Sequence, residues 1–290
     1  MIGMFDSGLG GLSVWRELTA QLPDEPVIYL ADQGYCPYGG RSDDELIARA
    51  ELIADYLLAQ GATLLLIACN TATSAAARHL RLKYPTLPIV GMEPAVKPAS
   101  LMTRTGVVGI LATTNTVASA RFKNLVERYE PLARVIAKPC PGLVELIETC
   151  PLPQTDIENL LEPLVHDLLN HQADVIVLGC THYPFVAPII ARLAGPGVAV
   201  IVTGLPVAKQ LKVRLDSEGL LVDGSVTQKQ GNPVNDRVNF FTTGNPVAFK
   251  AFKFTPSSSL ISNGDFIDGQ GGWVSNGGLF GYTSGAVCGG

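Results

Sequence analysis

The chain has 290 residues, 47% of them hydrophobic and 16% charged, a balance that builds a generous core and excludes a disordered chain. A formal net charge of −5 and a pI near 5.4 exclude the basic stripe of a nucleic-acid surface. Apolar runs fall far short of the roughly 20 residues that cross a bilayer, and MIGMFDSG lacks a charged signal-peptide segment, so we expect no membrane association and a cytoplasmic setting.

In chain order, Met1 to Phe5 reads as a short strand, with Asp6 and Ser7 at its end and the glycines of DSGLGG turning into a helix. The glycines fall short of a dinucleotide fingerprint, because Ser13 stands where the third is required, and no Walker pattern is present. Val27 to Asp32 is the next strand, closed by Asp32. The Gly- and Pro-rich GYCPYGG then places Tyr38 and Gly39 in a ligand-type loop. A helix from Asp44 leads into ATLLLIACNTAT, an apolar strand run stopping at Cys69. Thr71, Thr73 and Ser74 open the helix that follows, whose free N–H groups suit a carboxylate ligand.

After LPIVGMEPA the pattern restarts. GVVGILATTNTVAS repeats the opening layout, with Ala112 and Thr113 in the places of Asp6 and Ser7. A helix from Ala118 to Tyr129, a strand ARVIA and the segment CPGLVELIE precede a helix from Asp156 and a second cysteine strand, ADVIVLGCTHYP, ending at Cys180. A helix over Pro188 to Gly195, then a strand and helix in VAVIVTGLPVAKQLKVRL, and a short strand with a helix start after Gly244-Asn245-Pro246 complete the regular part. Residues 256–290 are rich in Gly and Ser without Lys or Arg, and read as an appended low-complexity tail.

Cys69 and Cys180 are as far apart as Ala62 and Ala173, which open their strands, and Leu57 and Leu168 on the preceding helices keep that separation. This common offset predicts two related half-structures, each delivering a thiol to the carboxyl edge of a buried parallel strand. A thiol of ordinary pKa is mostly protonated at neutral pH and needs a helix N-terminus, a charge or a base to adjust it. Cys69 precedes a helix start, and Cys180 lies two residues before His182. Both are therefore read as functional. Cys36, Cys140, Cys150 and Cys288 are read as small buried hydrophobes, the usual role of a free cysteine; none of the six cysteines shows C-x-x-C or zinc-type spacing. Strand-end positions favour site roles for Asp6, Asp32 and His182. Ser7, Asn70, Thr71, Thr113, Thr116 and Thr181 are candidate donors to an anionic zwitterion.

Together DSGLGG, CPYG, ACNTAT, GMEP, the paired threonines of ATTNTVAS, and LGCTHYP resemble the glutamate racemase family from Met1 to about Lys253. The resemblance implies an α/β fold of two pseudo-symmetric lobes, each a mostly parallel sheet flanked by helices, with the active site in the cleft between them. We expect the first lobe to comprise 1–92 plus 207–255 and the second 93–206. It also implies a homodimer, no cofactor and no metal, and interconversion of L- and D-glutamate for peptidoglycan. Cys69 would act on D-glutamate and Cys180 on L-glutamate, aided by Asp6 and His182, with Asp32 and Glu148 at family acidic positions. Asp6, Ser7, Tyr38, Gly39, Asn70, Thr71, Thr113, Thr116, Thr181 and His182 match substrate-binding positions. The chain departs from the family pattern at Ile201-Val202-Thr203-Gly204, where Ile-Asp-Ser/Thr-Gly is usual. An aspartate or hydantoin racemase and a catalytically silent amino-acid-binding regulator are the alternatives.

Overall fold

The structure, a computed structural model, describes residues 1–149, 151–222 and 238–244, together with the backbone of 280–281. Cys150, Cys288, the helix expected after Gly244-Asn245-Pro246 and the rest of the 256–290 tail lie outside the described residues.

The first half runs β1 (Ile2–Asp6), α1 (Leu12–Gln21), β2 (Val27–Ala31), α2 (Asp43–Ala59), β3 (Leu64–Ile67), α3 (Asn70–Lys83), β4 (Ile89–Val90) and α4 (Val96–Met102). The second runs β5 (Val107–Ala112), α5 (Thr114–Ala118), α6 (Ala120–Tyr129), β6 (Arg134–Pro139), α7 (Leu143–Ile147), α8 (Gln154–Asn170), β7 (Val175–Leu178), α9 (Ala187–Ala194) and β8 (Ala199–Ile201). Then follow α10 (Gly204–Ser217), β9 (Val238–Thr242) and the two-residue β10 (Phe280–Gly281). One sheet has the order β10-β9-β2-β1-β3-β4, parallel except for β10; the other, β6-β5-β7-β8, is wholly parallel. Shifting every strand number by four turns β2-β1-β3-β4 into β6-β5-β7-β8. The offset read from the cysteines is thus an offset of whole folding units.

Each sheet is buried on both faces, which is why its strands read as continuous apolar runs. On β3, Leu64 and Leu66 enter the core layer shared with α1 and α10, while Leu65 and Ile67 face α2 and α3; the two-residue period carries Cys69 to that second side. On β7, Val175 and Val177 pack in the layer that includes α4 and α6. Ile176, Leu178 and Cys180 pack in the opposite layer with α8 and α9. Helix α10 returns to the first sheet, where Val207, Leu211 and Leu215 share a core with Leu12, Trp15 and Leu18.

Two glycines set how closely helix and sheet approach. A Cβ on Gly3 would lie 2.7 Å from the Ala62 Cβ and 3.2 Å from the Leu57 Cβ, and one on Gly109 would lie 2.6 Å from a methyl of Leu168. Leu57 and Leu168 are partners under the sequence offset, so both halves use the same close packing.

Two local expectations are corrected. The helix expected over Ala118 to Tyr129 is two helices, because extended Ser119 ends α5 and caps α6, its Oγ accepting the Phe122 N–H at 3.1 Å. The helix after the first cysteine begins at Asn70 rather than at Ser74, because Cys69 is itself the N-cap and its Sγ accepts the Ala72 N–H at 3.5 Å. At the departure from the family pattern, Val202 packs against the layer of Ile176, Leu178 and Cys180. Thr203 is the buried N-cap of α10 without a side-chain capping bond. No described helix is long and apolar enough to cross a membrane.

Candidate active site

Residues just beyond the carboxyl ends of β1, β3, β5 and β7 meet along one seam, where Thr181 contacts Asp6 and Thr71 contacts Thr113. Asp6 ends β1, fully buried. Its carboxylate accepts the Gly8 N–H at 2.9 Å and, across the seam, the Thr181 hydroxyl at 3.0 Å. Cys69, 5% exposed, stands nearby with its Sγ 3.8 Å from the Ser7 Oγ. Burial and then the Asp6 charge push the Cys69 thiol up to about 12, although the Ala72 N–H opposes them. Burial likewise raises the Asp6 carboxyl.

Cys180, 6% exposed, lies 3.8 Å from Nδ1 of buried His182, whose Nε2 lies 2.6 Å from Glu148 Oε1. The three side chains form a line from thiol through imidazole to carboxylate. Glu148 is oriented by the Leu9 N–H at 2.6 Å and the Gln33 amide at 2.8 Å, both from the first half. Burial alone would lower the His182 pKa, but its contacts with Cys180, Cys36 and Glu148 and the Asp6 charge raise it well above the usual value. Burial would raise Glu148, yet His182 and the two donors bring it below the ordinary carboxylate range. The pair is therefore an imidazolium and a carboxylate. Nε2 is also 3.2 Å from the Gly10 N–H, but the shorter contact with Glu148 requires Nε2 to carry a proton and donate it.

Two residues after Cys69, Thr71 opens a polar floor drawn from both halves. Thr71 Oγ1 is 2.9 Å from Thr113 Oγ1, which is 2.9 Å from Thr116 Oγ1, and all three side chains are buried. Gly39 presses on this cluster, since a Cβ there would lie 3.3 Å from that of Thr113. Asn70 is 3% exposed, and neither its amide nitrogen nor its amide oxygen has a protein partner. Such an orphaned amide is costly unless a ligand satisfies it.

Asp32 is placed apart from the thiols' immediate contacts. Its buried carboxylate accepts the Tyr38 hydroxyl at 2.5 Å, Arg49 at 2.5 and 3.0 Å, and the Thr243 hydroxyl at 2.7 Å. The Tyr38 hydroxyl is committed to this ion pair, leaving its backbone and Gly39 on the seam. Sequence reasoning missed three participants: Arg49, Gln33 and Cys36. The first two sit on a helix face and in a loop with no distinguishing pattern. Cys36 was read as a buried hydrophobe, but it is half-buried and its Sγ, a Glu148 oxygen and a His182 nitrogen all lie within 4.8 Å of one another. Its position next to Pro37 and Tyr38 was the available signal.

Chemically, two thiols from related halves converge on one polar floor, each with its own carboxylate and proton-bearing neighbours. That arrangement can remove a proton from one face of a small anionic substrate and supply one to the other.

The profile of the Asp/Glu/hydantoin racemase family matches residues 4–210. The glutamate racemase of Pseudomonas syringae pv. tomato is 51% identical over 223 residues, 77% of this chain and 81% of that protein. The structure of Francisella tularensis glutamate racemase in complex with D-glutamate superposes with a TM-score of 0.71 and 29% identity, covering 86% of this chain and 90% of that one. That of Escherichia coli glutamate racemase in complex with L-glutamate and the activator UDP-MurNAc-ala gives 0.68 and 31%, covering 74% and 82%.

Proposed function

The chain belongs to the Asp/Glu/hydantoin racemase family, and from that premise we infer that it is a glutamate racemase, an isomerase that interconverts L- and D-glutamate without a cofactor. By family membership its product supplies peptidoglycan. The observation that carries the mechanism is the pair of buried thiols at equivalent strand ends, Cys69 after β3 and Cys180 after β7, facing one seam.

Inverting a carbon centre needs a base on one face and an acid on the other. In the direction that consumes L-glutamate, the Cys180 sulfur removes the α-proton and the Cys69 thiol returns one to the opposite face. A Cys69 thiol pushed up to about 12 is neutral at pH 7, the form required of the donor. His182 presents Nδ1 to Cys180, and Glu148 fixes the ring, so the proton at Cys180 has an oriented partner. Asp6 plays the corresponding part near Cys69, tied to the opposite half through Thr181. Reversing the proton positions runs the reaction from D-glutamate.

We assign the substrate's carboxylates and amine to Asn70, whose amide has no protein partner, and to Ser7, Thr71, Thr113, Thr116, Thr181 and the backbone of Tyr38 and Gly39. The N-terminus of α3 beside Cys69 supports an anion there. Asp32 acts by position: with Arg49 it holds Tyr38, and so Gly39, against Thr113. Working free thiols fit the reduced cytoplasm, and the family resemblance favours a homodimer, which light scattering of the purified protein would test.

Incubation with glutamate, aspartate and a hydantoin in heavy water tests this reading. Deuterium should enter the α-position of glutamate of both hands, with metal and pyridoxal phosphate absent. Exchange confined to aspartate or a hydantoin would reassign the substrate. Absence of exchange in all three would favour a silent binding protein.

A further inference from the structure

A thiol outside the proton-transfer pair lies against His182 and Glu148, two neighbours of Cys180 that can both coordinate a metal. Cys36 is half-buried, and its Sγ, an oxygen of Glu148 and a ring nitrogen of His182 all lie within 4.8 Å of one another. Sulfur, imidazole nitrogen and carboxylate oxygen are the donor set of zinc sites. We propose that Cys36, Glu148 and His182 form an inhibitory site for a thiophilic divalent cation of the zinc type. Its consequence for activity rests on the racemase reading; its existence does not.

Charge and support both point this way. A Cys36 thiolate and the Glu148 carboxylate together cancel the two charges of the ion, and neutral His182 completes the set, so a bound cation leaves no net charge in the seam. Glu148 already has outer partners that orient it, the Leu9 N–H at 2.6 Å and the Gln33 amide at 2.8 Å. The Gly8 backbone packs directly on Glu148 and Cys36 and helps hold them together: a Cβ there would collide with Glu148 Oε1 and lie 3.2 Å from Cys36 Sγ.

Binding has a definite chemical cost. Burial holds the Cys36 thiol up at about 11, so in the absence of metal it is protonated. The ion must displace the Cys36 proton and the His182 Nε2 proton to solvent as the metal–sulfur and metal–nitrogen bonds form. It must also part His182 from Glu148. Two ligands about 2.1 Å from a tetrahedral ion are roughly 3.4 Å apart, whereas Nε2 and Oε1 are now 2.6 Å apart. The hydrogen bond that orients His182 toward Cys180 is lost, and the imidazole can no longer move a proton there. Cys69 keeps its own neighbours. The inhibition should therefore be lopsided, stronger for removal of the proton from L-glutamate than from D-glutamate.

The test uses the full chain, reduced and stripped of metal, with cobalt(II) as the spectroscopic probe and zinc(II) as the inhibitor. One equivalent of cobalt should give thiolate-to-metal charge-transfer absorption. Cys36→Ala should abolish that band and weaken zinc inhibition at least tenfold, each rate being taken relative to the same variant's metal-free rate, while keeping the wild-type melting curve. Cys69→Ser and Cys180→Ser should keep the band. Cys36→Ser, which retains a small polar side chain, should behave as Cys36→Ala, and serves in its place if the alanine variant does not fold. Zinc should suppress β-elimination from an L-configured analogue at least tenfold more than from its D-enantiomer. A band that survives loss of Cys36 and disappears with Cys69 or Cys180 would place the metal on the catalytic pair and overturn the proposal. So would the lack of any thiolate band in the wild type at stoichiometric cobalt. Because the band needs no turnover, failure of the racemase reading would leave this result readable.

Discussion

Replacing Glu148 by Gln removes one charge from the line that serves Cys180 and leaves the hydrogen bonds of Cys69 and Asp6 in place. Glu148 Oε1 lies 2.6 Å from both His182 Nε2 and the Leu9 N–H, and Oε2 accepts from Gln33 at 2.8 Å. A glutamine of nearly the same shape preserves the packing but turns an ion pair into a neutral contact. A buried hydrogen bond to a charged group contributes about 1.5–3 kcal/mol, which as a barrier change corresponds to roughly a 10- to 150-fold loss of rate. The loss should fall on the step in which Cys180 removes a proton. An analogue that expels a β-leaving group after deprotonation isolates that step, because it needs only one base. Elimination from the L-analogue should slow by about that factor, elimination from the D-analogue should change less than about threefold, and the melting temperature should stay within a few degrees. Equal slowing of both enantiomers would refute the assignment of Glu148 to the Cys180 side.

Other outcomes follow from named contacts. Asp32→Ala leaves Arg49, only 17% exposed, without its partner, which should cost about 3–5 kcal/mol of stability; in the surviving fold KM should rise more than kcat falls, since the loosened element is Tyr38 and Gly39. An equal loss in kcat alone would make Asp32 a catalytic group. Gly109→Ala forces a methyl into Leu168 and should destabilise by about 1–3 kcal/mol, read by urea denaturation; no change would show that α8 is free to shift. Burial would raise Asp174, but the hydroxyls of Thr103 and Thr105 and the Arg104 N–H and side chain hold it down to about 2. A depressed folded pKa gives stability that is present above the unfolded value near 4 and lost as the pH falls toward 2. Wild type should therefore exceed Asp174→Asn by about 1–2 kcal/mol at pH 6 and lose the advantage by pH 2. A constant difference across that range would contradict the assignment.

Much of this was legible in the chain because it depends on period and order. Fully apolar strands ending at Cys69 and Cys180, helices leading into them and a common offset are one-dimensional signatures of a parallel sheet built twice. The threonines and Asn70 were legible by position alone, since residues just beyond a parallel strand fall on the ligand edge. What the sequence withheld depends on contacts between the halves. Glu148 is named through the family resemblance, but its partners were not legible: Leu9 and Gln33, more than a hundred positions away, orient it in the seam. Asp32 and Asp6 occupy equivalent-looking strand ends, yet only Arg49, a helix residue without distinguishing pattern, turns Asp32 into half of an ion pair. Cys36 belongs to no spacing motif because its neighbours Glu148 and His182 come from the other half. Ser119 shows the local version: a capping hydroxyl inside an apparent helix outweighed the apolar period around it.

The central claim is that Cys69 and Cys180 serve opposite faces of the substrate, and the elimination half-reactions test it most directly in the two single variants. Cys69→Ser and Cys180→Ser should each abolish racemisation of glutamate, because a full turnover uses both groups. Cys69→Ser should still eliminate from the L-analogue and fail on the D-analogue. Cys180→Ser should do the reverse. Elimination of both enantiomers at equal rates by either variant would contradict the two-base account, even in a protein that racemises glutamate.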